Sequence, residues 1–134
     1  MLDTDQLQAI RDGRSTPDGL ASIVIPHYRT PDLVRLCLRA IRRLTDHPYE
    51  VIVVDNHSGD ASVDALRQIT WIRLIERGPE TEPEAVHAHA SAMDIGTREA
   101  RGRWLVSLHT DTIVRREGWL RDLVGRLEAD TKAA

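Results

Sequence analysis

The chain has no phenylalanine, a single cysteine and a single lysine among its 134 residues. With Trp71, Trp104, Trp119, Tyr28 and Tyr49 as its only aromatics, it must build a core from aliphatic side chains. One cysteine, Cys37, excludes an internal disulfide and suits a reducing compartment. It falls on the apolar stripe of a predicted helix, which marks it as packing and not as a nucleophile. Also lacking are a run of about 18 apolar residues and the charged-then-apolar opening of a secretory leader. No membrane span is predicted, and the expected location is cytoplasmic. No basic block occurs and the net charge is −3, which argues against nucleic acid as a partner. Lys132 is the only lysine on an arginine-rich background, so a single Arg says little about function.

Four short apolar runs are present: "ASIVIP" (21–26), "YEVIVVD" (49–55), "WIRLIE" (71–76) and "RWLVSLH" (103–109). The first two are almost continuously apolar, as suits parallel strands covered on both faces. Helical patterns lie between them. In 31–44, Leu33, Leu36, Cys37, Ala40, Ile41 and Leu44 form a stripe at 3.6-residue spacing. Thr30 is the expected N-cap, with Pro31 at the first helical position. Further helices are predicted over 60–69, over an Ala-rich 83–100, and over about 117–128. The order of elements predicts a three-layer α/β/α sandwich with a mainly parallel sheet over 20–128. Residues 1–19 are expected to be a short helix, marginal or docked on a neighbour, followed by a linker, and 129–134 a frayed tail.

Right-handed crossovers bring every strand's carboxyl end to one edge of such a sheet, where ligands bind. Three polar clusters fall there: "PHYR" (26–29), "DNHSGD" (55–60) and "HTD" (109–111). Asp55 and Ser58 have two readings, as partners of loop and helix-start amides or as acceptors for a nucleoside donor. Tyr28 offers a flat face for a base or packs against its own loop. His109 and Asp111 supply nitrogen and oxygen two residues apart. In extended backbone they would point the same way, toward a divalent cation that neutralises a diphosphate.

The stretch "SIVIPHYRTPDLVRLCLRAIRRLTDHPYEVIVVDNHSGDASVDAL" resembles the opening of family 2 glycosyltransferases, which have the GT-A, Rossmann-like fold. Those proteins typically read "SIVIPTYN", then "EVIVVDNGSTDGS", then "ARGEYLLFLDDD" ending in the DxD motif. The corresponding pieces here are Ser22–Arg29, Glu50–Ser62 and Ala100–Asp111. The resemblance implies transfer of a sugar from a nucleotide-diphosphate donor to an acceptor hydroxyl, usually with inversion, assisted by Mn²⁺ or Mg²⁺. It places Pro26, His27 and Tyr28 at the nucleoside, Tyr28 against the base, and Asp55 on base or ribose. It brings His89, Asp94 and Arg98 of "HAHASAMDIGTREARG" to the donor side, and sets Asp111, with His109, at the metal.

Two departures stand out. His109 occupies the first acid of DxD and cannot supply its negative charge, which favours Mg²⁺ less than a softer ion. His27, His57, His87 and His89 lie on or near the same edge. The family's acceptor-binding half, with its catalytic base, has no counterpart after the DxD position. The expectation is therefore the nucleotide-sugar-binding half alone, incomplete and without independent transferase activity, or, in a second reading, a full enzyme whose acceptor half comes from self-association or a partner chain. The alternative is a non-catalytic nucleotide- or metal-binding module of the same fold.

Overall fold

The computed structural model describes residues 1–130. Its elements run α1 (Thr4–Arg11), β1 (Ala21–His27), α2 (Pro31–Leu44), β2 (Tyr49–Asp55), α3 (Ala61–Arg67), β3 (Arg73–Glu76), α4 (Ala85–Glu99), β4 (Trp104–Ser107) and α5 (Trp119–Ala129). All strand pairs are parallel, in the order β3-β2-β1-β4. The sheet is Rossmann-like, as expected. Of the tail expected over 129–134, Ala129 ends α5 and Asp130 is its C-cap, while 131–134 lie outside the described residues.

The two central strands, β1 and β2, are buried along their whole length, which explains their unbroken apolar sequences. Successive side chains alternate between faces. Ala21, Ile23, Ile25, Val51 and Val53 meet Val34, Cys37, Leu38 and Ile41 of α2, Leu66 of α3, and Leu120 and Val124 of α5. On the opposite face Val24, Ile52 and Val54 meet Ala92 of α4. The Ala-rich sequence of α4 permits this approach, and Gly96 carries it furthest. A Cβ there would stand 2.3 Å from Val24 Cγ1.

Helix α1 is docked. Its Leu7 and Ile10 pack on Leu20 and Trp71, and Asp3 and Gln6 form a reciprocal capping box. Arg11 Nη2 donates to the Ile72 carbonyl at 2.8 Å, tying the chain to α1 just before β3 begins at Arg73.

Strand β4 ends at Ser107, two residues earlier than its apolar pattern suggests. The reason lies in β1. Leu108 N–H donates to the Val24 carbonyl at 3.1 Å, and in a parallel ladder the next bond would run from residue 26 to the Leu108 carbonyl. Residue 26 is proline and has no N–H to give. The chain then turns, with Thr112 N–H donating to the His109 carbonyl at 3.0 Å. His109 and Asp111 therefore sit in a turn, and not in the extended backbone from which a shared direction was expected.

Thr30 occupies the N-cap of α2, but its hydroxyl makes no cap bond. It lies 3.1 Å from the Thr110 hydroxyl instead, linking β1's loop to the β4 turn.

Candidate functional site

Because His27 is in register with Asp55, the last residues of β1 and β2 stand side by side. His27 Nδ1 and Asp55 Oδ1 are 2.8 Å apart, and both side chains are almost wholly buried. Thr30 N–H donates to His27 Nε2 at 3.3 Å, which requires that nitrogen to be unprotonated and puts the ring proton on Nδ1, facing the carboxylate. Asp55 Oδ1 also accepts from the Ser58 hydroxyl at 2.6 Å, and Oδ2 from Ser58 N–H at 3.0 Å. Ser58 Oγ in turn accepts from Arg29 N–H at 3.0 Å. Burial pushes the Asp55 carboxyl up, but the hydrogen bonds from His27 and Ser58 outweigh it and hold it below the usual carboxylate range.

This knot fastens the loops after β1 and β2 to each other. Among the described residues, two non-glycine residues have positive φ: Arg29 at 49° and His57 at 60°, one in each loop. Next to Arg29, Tyr28 is half exposed, and the Arg29 guanidinium lies over its ring at 5.1 Å. Arg29 Nε is itself held by the Ser58 carbonyl at 2.8 Å. One face of Tyr28 is thus backed by a fixed cation.

The two loops, the segment after β3 and the start of α4 enclose a cleft of about 390 Å³. Pro26, Tyr28, Pro83 and Ala88 give it an apolar surface, and Asn56, His57, Thr81 and His89 give it polar groups. Such a mixture suits a flat, partly polar ligand. The segment after β3 is pinned by Arg77, whose side chain is buried. It donates to Asn56 Oδ1 at 2.9 Å and to Glu82 Oε1 at 2.7 Å. Glu82 also accepts from the Ser91 hydroxyl on α4. The Ser91 bond first, then its own amide and Arg77, hold the Glu82 carboxyl down to about 2.

At the β4 end of the edge, the exposed His109 ring stacks on His89 from α4, with centroids 4.6 Å apart and planes within 5°. Cys37 lies beneath this turn, its Sγ 3.9 Å from the His109 carbonyl. It is fully buried, and burial, with the Asp111 charge second, pushes its thiol up to about 11, so it is packing as expected. Among the described residues no three His, Cys, Asp or Glu side chains converge as a metal site. Asp111 and His109 bring a carboxylate oxygen and an imidazole nitrogen to this turn, a donor set too small to enclose a cation by itself.

Of the residues singled out from sequence, Pro26, His27, Tyr28 and His89 line the cleft. Asp55 lies beneath it, with its oxygens turned to His27 and Ser58. Asp94 and Arg98 are exposed on α4, paired with each other at 2.8 Å and outside the cleft lining. Sequence reasoning passed over Asn56, Arg77 and Glu82. Asn56 stands inside a quoted motif and was findable there. Arg77 and Glu82 lie in a segment without a motif, and only the fold brings them to Asn56 and Ser91.

The profile of "Glycosyl transferase family 2" matches residues 22–134. No curated protein matches the chain by sequence. Among solved structures, a mannosyltransferase from Pyrobaculum calidifontis in complex with GDP-Man and Mn²⁺ is similar at a TM-score of 0.69 and 22% identity, over 96% of this chain and 44% of that one. S. aureus TarS 1-349 is similar at 0.67 and 18%, over 81% and 32%. Glucosyl-3-phosphoglycerate synthase from Mycobacterium tuberculosis, in complex with Mn²⁺, UDP and glucosyl-3-phosphoglycerate, is similar at 0.57 and 22%, over 94% and 44%. The chain therefore spans about a third to under half the length of these neighbours, whose fold it shares. From the profile match and the shared fold together, the chain belongs to glycosyl transferase family 2.

Proposed function

We propose that the cleft binds the nucleotide part of a nucleotide-diphosphate sugar, with a divalent cation at Asp111, for transfer of the sugar to an acceptor hydroxyl. The observation that carries this reading is the cleft itself. It lies at the strand carboxyl ends, walled by a cation-backed tyrosine and two mutually fastened loops. Tyr28 offers the free face of its ring to a base, and Pro26 the apolar floor. His27 and Asp55 serve by fixing the loops. Asp111 and His109 hold the cation, Mn²⁺ better than Mg²⁺ because one donor is an imidazole nitrogen. When bound, the cation supplies charge that stabilises a departing diphosphate. Stacked on His89, His109 has to turn to reach it.

The base that deprotonates an acceptor hydroxyl must lie on the acceptor's side, within hydrogen-bond reach of the attacking oxygen. None of the described cleft residues is assigned that role.

Calorimetric titration with UDP, GDP and dTDP, with and without Mn²⁺, tests the reading. One nucleotide is expected to bind about tenfold more tightly with Mn²⁺, a difference of roughly 1.4 kcal/mol that Asp111→Ala removes. Absence of binding for every nucleotide, with and without the cation, overturns it.

A second reading, a nucleotide- or metal-binding module without chemistry, draws on His109, an imidazole where the family has an acid. Release of free sugar from a bound nucleotide sugar separates the two, being expected only of the transferase.

A further inference from the structure

His57 is the residue of the cleft that local backbone physics explains least. It has φ of 60°, a region where glycine is at ease and a residue with a Cβ is uncommon, although histidine, like asparagine, enters it more readily than most. The family pattern has glycine at this position. Here the position carries an imidazole, exposed, lining the cleft described above on one side and on the other a second depression that includes Asp60, Asp64 and Arg67. The strained backbone is held by its neighbour, because Ser58 N–H and hydroxyl are both committed to the buried Asp55. A strained residue that the surroundings hold in place, with its side chain at a ligand cleft, calls for a functional reason.

Strand order supplies the direction. With β3-β2-β1-β4 across the sheet, the 109–111 turn stands at the β4 end of the edge, and His57, after β2, stands toward the β3 end. A nucleoside diphosphate whose phosphates face Asp111 therefore extends its base past Tyr28 toward His57 and the 81–83 segment. The carboxylate expected at the base or ribose, Asp55, is 3% exposed, and its oxygens are occupied by His27 and Ser58.

We infer that His57 is a specificity-determining residue, its imidazole hydrogen-bonding the edge of the donor's nucleobase while Asp55 acts inward as a positioning residue. The inference rests on the nucleotide-binding reading above. A neutral imidazole carries one donor and one acceptor, so it distinguishes bases by the pattern on their edges, a task glycine cannot perform.

The test compares the full chain with His57→Gly and His57→Asn, titrated with UDP, GDP, CDP and inorganic pyrophosphate in Mn²⁺. Glycine relieves the strained position, so the melting temperature of His57→Gly is expected to match or exceed the parent's. Its affinity for the preferred nucleotide is expected to fall about tenfold, and its preference among bases to flatten, with pyrophosphate binding unchanged. Asparagine tolerates the left-handed region and keeps a donor and an acceptor, so His57→Asn is expected to recover part of the preference. Unchanged nucleotide affinities in His57→Gly overturn the inference and leave the nucleotide reading intact. An equal loss for pyrophosphate also overturns it, by moving His57 to the phosphates. If the parent binds none of the nucleotides, the reading and the inference fall together.

Discussion

Asp55 serves this edge without facing it. Its carboxylate is depressed below the ordinary range because hydrogen bonds from His27 and Ser58 outweigh the cost of burial. A depressed native value means that the group contributes stability above the unfolded value near pH 4, and that the contribution is lost as pH falls through the lower native one. Asp55→Asn is expected to be less stable by about 1.5–3 kcal/mol at pH 7, with the gap closing as pH drops below about 4. Urea denaturation of both proteins at stepped pH measures this. The sequence made one half of Asp55's role readable. A carboxylate followed three residues later by serine predicts the local Asx-type bonds that Ser58 makes. The His27 partnership was not readable, because it depends on the register of two strands 28 residues apart in the chain. His57 was visible only as one of several histidines; its positive φ is a property of the folded loop.

Helix α4 was legible as an element, and its alanines as the reason it lies close to the sheet. Gly96 sharpens that point. Gly to Ala inside a helix ordinarily stabilises by up to about 1 kcal/mol, but here the new methyl meets the buried Val24 at 2.3 Å. Overpacking wins, and Gly96→Ala is expected to destabilise by about 1–3 kcal/mol in thermal unfolding. Helix α1 was expected to be marginal or docked, and the structure decides for docking through Ile10, which is 1% exposed. Ile10→Ala is expected to cost about 2–5 kcal/mol in urea denaturation, far more than an undocked helix would register. Element ends were read less well than element types. Strand β4 stops early for a reason located in another strand, and apolar periodicity along β4 carries no trace of it.

Across the whole molecule, one face of the sheet carries α2, α3 and α5, and the other carries α4. Residues from β1, β2 and three helices share the first core, and Trp119 Nε1 ties the last helix to Thr45 at the end of α2. Such sharing leaves no separable half, so unfolding is expected to be two-state. Trp71, Trp104 and Trp119 sit beside α1, in β4 and in α5, so their summed fluorescence samples three parts of the structure. The fluorescence and far-ultraviolet circular dichroism transitions in urea are expected to coincide; two separated midpoints would show an independent unit. The fold was legible because alternation of β and α needs no long-range information, whereas the cleft's far wall, pinned by the bonds of Arg77 and Ser91 to Glu82, needs almost all of it. Pro26 links the scales. A parallel sheet closes like a zipper, and this one is stopped one tooth short by a single missing hydrogen atom. Any other amino acid at that position would offer the Leu108 carbonyl another rung and draw the 109–111 turn toward β1. The seam between β1 and β4 stays open at this edge because one backbone nitrogen has nothing to donate.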